Sequence, residues 1–286
     1  MDGFLIFGSI TALVPTILHL FGLILLLISK FNHADKTQRL YFMMLSSGEA
    51  IISFYWVLLY NLSDLKDILS QQLDVISFIG LFGCMVTYEA MIFMTLDRFF
   101  SIFLNIKYPL YWKYGHTEKL VIALTLVNSL LCLTIWLTKV RRQDIELWFY
   151  LTFDILFLIT ATFTYTYVFI KIKQNQKIKS SISQQQQGQS TTSSLNSNRT
   201  NYRRPKKQSR QLFSVFLLVI TFFIFTVISD FCLFYIHITD HKIQIWQFTT
   251  LSTSYSISNT CDFLIYTFST KPIKKILRRL RKRSDR

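Results

Sequence analysis

Apolar runs of membrane-crossing length recur along this chain, and they limit its fold more than any single motif does. At about 1.5 Å of rise per residue, a helix needs roughly 20 mostly apolar residues to cross the hydrocarbon layer. Seven stretches supply that length, at roughly Phe4 to Lys30, Leu40 to Asn61, Asp74 to Leu104, Glu118 to Thr138, Glu146 to Lys173, Arg210 to Ile236 and Ile243 to Phe268. The 286 residues are 51% hydrophobic, with 27 Phe against 8 Gly and 4 Pro, which is far more large apolar surface than one soluble core needs. The expectation is an all-α membrane protein, a seven-transmembrane helix bundle over residues 1–270. The first run has no basic flank before it and reads as a spanning helix, not a cleaved signal peptide.

Charge sets the expected orientation. Of the 31 Lys and Arg, 26 fall on one set of alternate loops and five on the other. The positive-inside rule then puts the N-terminus outside and the C-terminus in the cytoplasm, as a multi-pass protein of the plasma membrane. A net charge of +15 would suit nucleic acid if it lined a soluble face, but these cations flank apolar runs, so no nucleic-acid partner is expected. Cys84, Cys132, Cys232 and Cys261 all lie within apolar segments, which argues against a metal set or a disulfide framework.

The segments between and after the spans carry their own signals. Residues 175–208 hold Gln184 to Gln187 and a Ser/Thr-rich tract, a composition too polar to offset its ordering entropy, so a disordered third cytoplasmic loop is expected. Residues 271–286 place Ile273, Ile276, Leu277 and Leu280 at helical spacing among Lys and Arg. That pattern reads as a basic amphipathic eighth helix lying on anionic membrane lipids. Asn61-Leu62-Ser63 is a glycosylation sequon on the expected outer side. The outer loops are short, so any extracellular ligand has to be captured within the bundle or by those small loops, not by a separate ectodomain.

Three motifs carry a family resemblance. Asp97-Arg98-Phe99 ends the third run and is followed by Leu104 to Tyr108. Leu45-Ser46-Ser47-Gly48-Glu49 lies in the second, and Asp262-Phe263-Leu264-Ile265-Tyr266 in the seventh. In order and placement they resemble the Asp-Arg-Tyr, Leu-Ala-x-x-Asp and Asn/Asp-Pro-x-x-Tyr motifs of rhodopsin-like (class A) G protein-coupled receptors.

The resemblance implies a function: binding an extracellular ligand within the bundle and activating a heterotrimeric G protein. It implies a coupling switch of Asp97, Arg98, Tyr167 and Tyr266, in which Arg98 is held by Asp97 until the sixth helix swings outward. It also implies an ion site, with Glu49, Thr87 and Asp262 at positions lining the family's sodium site and Asn259 converging on them. Two carboxylates in low dielectric cannot both stay charged without a cation, so Glu49 and Asp262 either hold Na⁺ or share a proton. No other cofactor is expected. If receptor kinases act, their phosphates should fall in the 180–200 loop and recruit arrestin there.

A ligand pocket is expected from Asp154 and Asp230 in the outer halves of the fifth and sixth spans, near Cys84, Phe157 and Phe234. Gly80 stands where amine receptors of the family carry an Asp, which argues against an amine anchored there. Family marks are also missing: the outer disulfide, the Trp and Pro of the sixth helix, the Pro of the fifth, and the Asn of the first, where Gly22 stands. The competing reading is a small membrane transporter or ion channel that uses the intramembrane carboxylates, which would favour internal repeats and broken helices. An enzyme is not expected, since no nucleophile-base pair or His-rich metal set is present.

Overall fold

The structure, a computed structural model, describes residues 2–29, 36–62, 70–104, 108, 114–138, 142–187, 213, 215–238, 245–269 and 273. All of its elements are helical, with no strand among the described residues. We number them α1 (Asp2–Ile28), α2 (Lys36–Leu62), α3 (Ser70–Phe103), α4 (Tyr114–Thr138), α5 (Arg142–Gln187), α6 (residues 215–238) and α7 (Ile245–Ser269). Six of them, α1 to α6, contain stretches long and apolar enough to cross a membrane. The other, α7, has 25 residues but is rich in Ser and Thr and carries Asn259 and Asp262.

What these helices leave uncovered identifies their solvent. Ile10, Ile17 and Ile24 on α1, Leu126, Val127 and Leu130 on α4, and Ile159, Phe163 and Phe169 on α5 are all exposed. In water such a belt would be an unpartnered apolar surface, whereas against lipid chains it costs nothing. Several hydroxyls inside the helices are satisfied locally: Thr16, Thr95, Ser256 and Thr260 each donate to the carbonyl four residues earlier at 2.8–3.0 Å.

The most buried span is that of α3, and the least buried is that of α4. Close approach of α2 and α3 depends on glycine. A Cβ on Gly48 would lie 2.9 Å from the Gly83 carbonyl oxygen, and one on Gly83 would lie 3.0 Å from the Ile52 backbone nitrogen. Gly22 does the same for α1 and α7, because any side chain there would run into the Tyr266 hydroxyl and the Phe263 ring. The residue that departs from the family pattern in the first helix is thus the one that admits the α7 aromatics.

Although it has no proline, α6 is not a regular α-helix throughout. Phe223–Val227 form a π-turn inside it, which shifts the backbone hydrogen-bond register. The Phe225 carbonyl there accepts from Ser229 Oγ at 2.6 Å and, across the helix interface, from Ser254 Oγ of α7 at 2.8 Å.

The end of α5 departs from expectation. Its helix runs on to Gln187, into the stretch read as a disordered loop. Lys and Gln are good helix formers, and once a spanning helix has nucleated, each further residue adds a hydrogen bond without the nucleation cost. The rest of the expected loop, residues 188–208, lies outside the described residues. So do 271–286 of the expected amphipathic tail, apart from Ile273, which is buried in the main core.

Candidate functional site

Polar and ionisable side chains are concentrated in three clusters, each built between different helices. The first lies where the C-terminal end of α3 meets the N-terminal ends of α2 and α6. Met91 and Met94 turn inward on α3, and the same face carries Asp97 and Arg98 into a crevice lined by Gln38, Tyr41, Phe42 and Val215. Arg98 Nη2 lies 2.5 Å from Asp97 Oδ2, with the carboxylate almost wholly buried. Tyr108, from the segment after α3, donates its hydroxyl to the other oxygen, Asp97 Oδ1. Burial first, and then the adjacent Asp97 charge, push the Tyr108 phenol above its ordinary range, so it remains a donor.

Tyr167 is not brought to this pair. It packs its ring on Phe99 and Phe103, at centroid separations of 5.1 and 6.1 Å. Two residues earlier, Tyr165 packs its ring, tilted, against Phe216 of α6 and has its hydroxyl in the electrostatic field of Arg98. A shift of two residues on a helix turns a side chain by about 200°, so choosing between these tyrosines needs the helix rotation, which sequence order does not supply.

The second cluster lies between α1, α2 and α7. Glu49 and Asp262 are both fully buried and their carboxyls face one another. His19 of α1 also belongs to it: its Nε2 is 2.7 Å from Glu49 Oε2 and 2.7 Å from the Asn259 carbonyl oxygen. A carbonyl can only accept, so Nε2 carries the hydrogen. Asn259 in turn donates Nδ2 to Ser53 Oγ at 2.9 Å. Tyr266 seals the cluster, its ring 6.2 Å from His19 and its hydroxyl accepting from Ser46 at 2.8 Å. Thr87 packs against Gly48, the residue before Glu49. The Glu49 and Asp262 oxygens and the Thr87 hydroxyl are buried without a directed hydrogen bond among the described residues. Such a set of bare oxygens suits a small hard cation or a shared proton.

The third cluster joins α3, α5 and α6. Tyr88 places its hydroxyl against Asp154 Oδ1 and 2.9 Å from Asp230 Oδ2. The two carboxyl residues expected to line a ligand pocket therefore meet, but through a tyrosine to which the sequence assigns no role. The other expected pocket residues have packing partners of their own. Phe157 is fully buried against Phe222 at 5.1 Å, Gly80 is covered by the Tyr55 ring, and Phe234 meets Trp148 at 5.0 Å. Cys84 is partly buried beside Tyr88. A separate apolar groove of about 640 Å³ opens between α5 and α6, lined by residues that include Leu158, Phe223, Phe231 and Tyr235 but neither aspartate.

Two further polar residues find structural partners. Glu89 of α3 turns to α4 and accepts from Thr125 and Asn128, each at 3.2 Å. Asn61 of the sequon lies inside α2, exposed, with its amide donating to Ser9 Oγ at 2.8 Å and to the Val57 carbonyl at 2.7 Å.

Long apolar helices, lipid-facing belts and self-satisfied polar groups together define a multi-pass, all-helical membrane protein. No protein-family model and no curated protein matches the chain in sequence.

Proposed function

We propose that this protein is a divergent rhodopsin-like receptor with seven transmembrane helices, its N-terminus outside the plasma membrane, which turns ligand binding into activation of a heterotrimeric G protein. The observation that carries the reading is the Asp97–Arg98–Tyr108 cluster. A guanidinium buried at the end of a span is costly unless it is paired, and a carboxylate held by both Arg98 and Tyr108 is a bond set that can be exchanged when α6 moves away. Val215 of α6 closes the same crevice, so an outward swing of that helix would uncover Arg98. The π-turn at Phe223–Val227 offers α6 the hinge that its missing proline would otherwise supply.

A ligand shifts such a bundle only by its differential affinity for the open arrangement. Tyr266 and the Glu49–Asp262–His19 cluster form the middle of the proposed path between ligand and coupling end, with a sodium ion or a shared proton between the carboxyls. The 180–200 segment remains the proposed target of receptor kinases and arrestin. The test is a cell assay of G protein dissociation across Gα types, with and without ligand pools. Dissociation that requires the protein supports the reading, and its absence with every Gα type at verified surface expression counts against it.

A further inference from the structure

The Tyr88 cluster holds more acceptors than its visible hydrogen can serve. A phenol has one O–H, yet the Tyr88 oxygen is within hydrogen-bonding reach of Asp154 Oδ1 and of Asp230 Oδ2. If both carboxyls were ionised, one contact would be oxygen against oxygen with no hydrogen between them. The two carboxyls also lie within reach of each other, and Asp154 Oδ2 is buried with no hydrogen-bond partner among the described residues. A bare carboxylate oxygen in that position would be expensive, whereas the carbonyl oxygen of a neutral acid is tolerated.

We propose that Tyr88, Asp154 and Asp230 form a proton-binding site that clamps α3, α5 and α6 together, and that loss of its proton releases α6. The bound proton sits on a carboxyl oxygen of the aspartate pair. That acid donates to the phenol oxygen or to the second carboxylate, while Tyr88 donates to the remaining acceptor. Release breaks one carboxyl O–H bond and gives the proton to water; nothing is oxidised or reduced. Two adjacent carboxylates then face each other in an apolar wall of Phe153, Phe157 and Phe222, and their repulsion acts across the helix interfaces.

The other titratable group facing the site among the described residues is the Cys84 thiol of α3. Glu89, next to Tyr88 in sequence, turns away to α4. The polar links from α6 to α7, Thr226 to Ser258 and Ser254 to the Phe225 carbonyl, contain no ionisable group and would survive the change. The site thus loosens α6 from one side of the bundle only. A proton clamp would serve a transporter as well as a receptor, so it does not depend on the receptor reading.

The experiment is infrared spectroscopy of the full chain in lipid nanodiscs, read at the C=O stretch of a protonated carboxylic acid, with thermal unfolding measured against pH. At neutral pH an Asp154→Asn/Asp230→Asn variant should lose acid-band intensity that a Glu49→Gln variant keeps. In wild type the site retains a proton that the unfolded chain has given up, so the melting temperature should fall as pH rises through deprotonation of the site. Asp230→Asn should flatten that fall. Should the double variant not fold, Asp262→Asn protein carrying carboxyl-labelled aspartate, with and without Asp230→Asn, gives the same reading as a labelled acid band that Asp230→Asn shifts or removes. No labelled acid band at neutral pH overturns the proposal. So does a band that disappears when sodium is added at constant pH, which would make the occupant a metal cation.

Discussion

His19 brings its Nε2 within 2.7 Å of a Glu49 oxygen across the α1–α2 interface, and neither side chain is reached by solvent. Removing one member of such a pair strands the other, which costs more than removing both. His19→Ala leaves the Glu49 oxygen and the Asn259 carbonyl without this partner and should therefore destabilise the folded protein by about 1–3 kcal/mol, the usual scale for a stranded buried polar group. A His19→Leu/Glu49→Leu double variant should lose less than the sum of its single variants. Thermal unfolding in detergent measures both, and strict additivity would show that the contact carries no coupling.

Tyr108→Phe removes the donor to Asp97 Oδ1 while leaving the ring in place. The loss of the partner to Oδ1, with Oδ2 still held by Arg98, should cost about 1–3 kcal/mol of stability. If the cluster restrains Arg98, the same change should raise G protein activation in the absence of ligand. An unchanged basal signal at equal surface expression would separate Tyr108 from the restraint.

Substitution of Gly48 tests the α2–α3 approach. Its Cβ would press on the Thr87 side chain and on the Gly83 carbonyl oxygen at 2.9 Å, so Gly48→Val should destabilise by about 1–3 kcal/mol. Gly115→Ala is the matched control, since nothing lies within 4 Å of its Cβ. Equal melting temperatures for the two variants would contradict the packing described.

Ser254→Ala removes the link from α7 to the Phe225 carbonyl, which still accepts from Ser229. The carbonyl keeps a partner, so the loss should stay at about 0.5–1 kcal/mol. Hydrogen exchange should nevertheless quicken around the π-turn. Unchanged exchange there would mean that the turn is held by α6 alone.

Placement of α1 to α6 was legible because membrane length and apolar run length are tied by helix rise, whereas α7, rich in Ser and Thr, falls short of that apolar measure. Asp97 with Arg98, and Glu49 with Asp262, were legible because a charge inside a span needs a partner. What sequence could not give was rotation about each helix axis. That rotation puts Tyr165 rather than Tyr167 near Arg98, joins His19 to Glu49, turns Glu89 to α4, and inserts Tyr88 between two aspartates read as pocket walls. A lone histidine within α1 gives no hint of a partner on α2, although its depth in the first span was a signal that it needed one. The π-turn was hidden for a different reason: its sequence, FIFTV, has neither proline nor glycine to mark it.

Coupling through Arg98 is what the proposed receptor mechanism depends on most, and one variant tests it. Arg98→Ala should reach the cell surface at near wild-type level and lose G protein activation, because it removes the charge proposed to receive the G protein once α6 has moved. Full retained coupling in that variant would contradict the receptor mechanism.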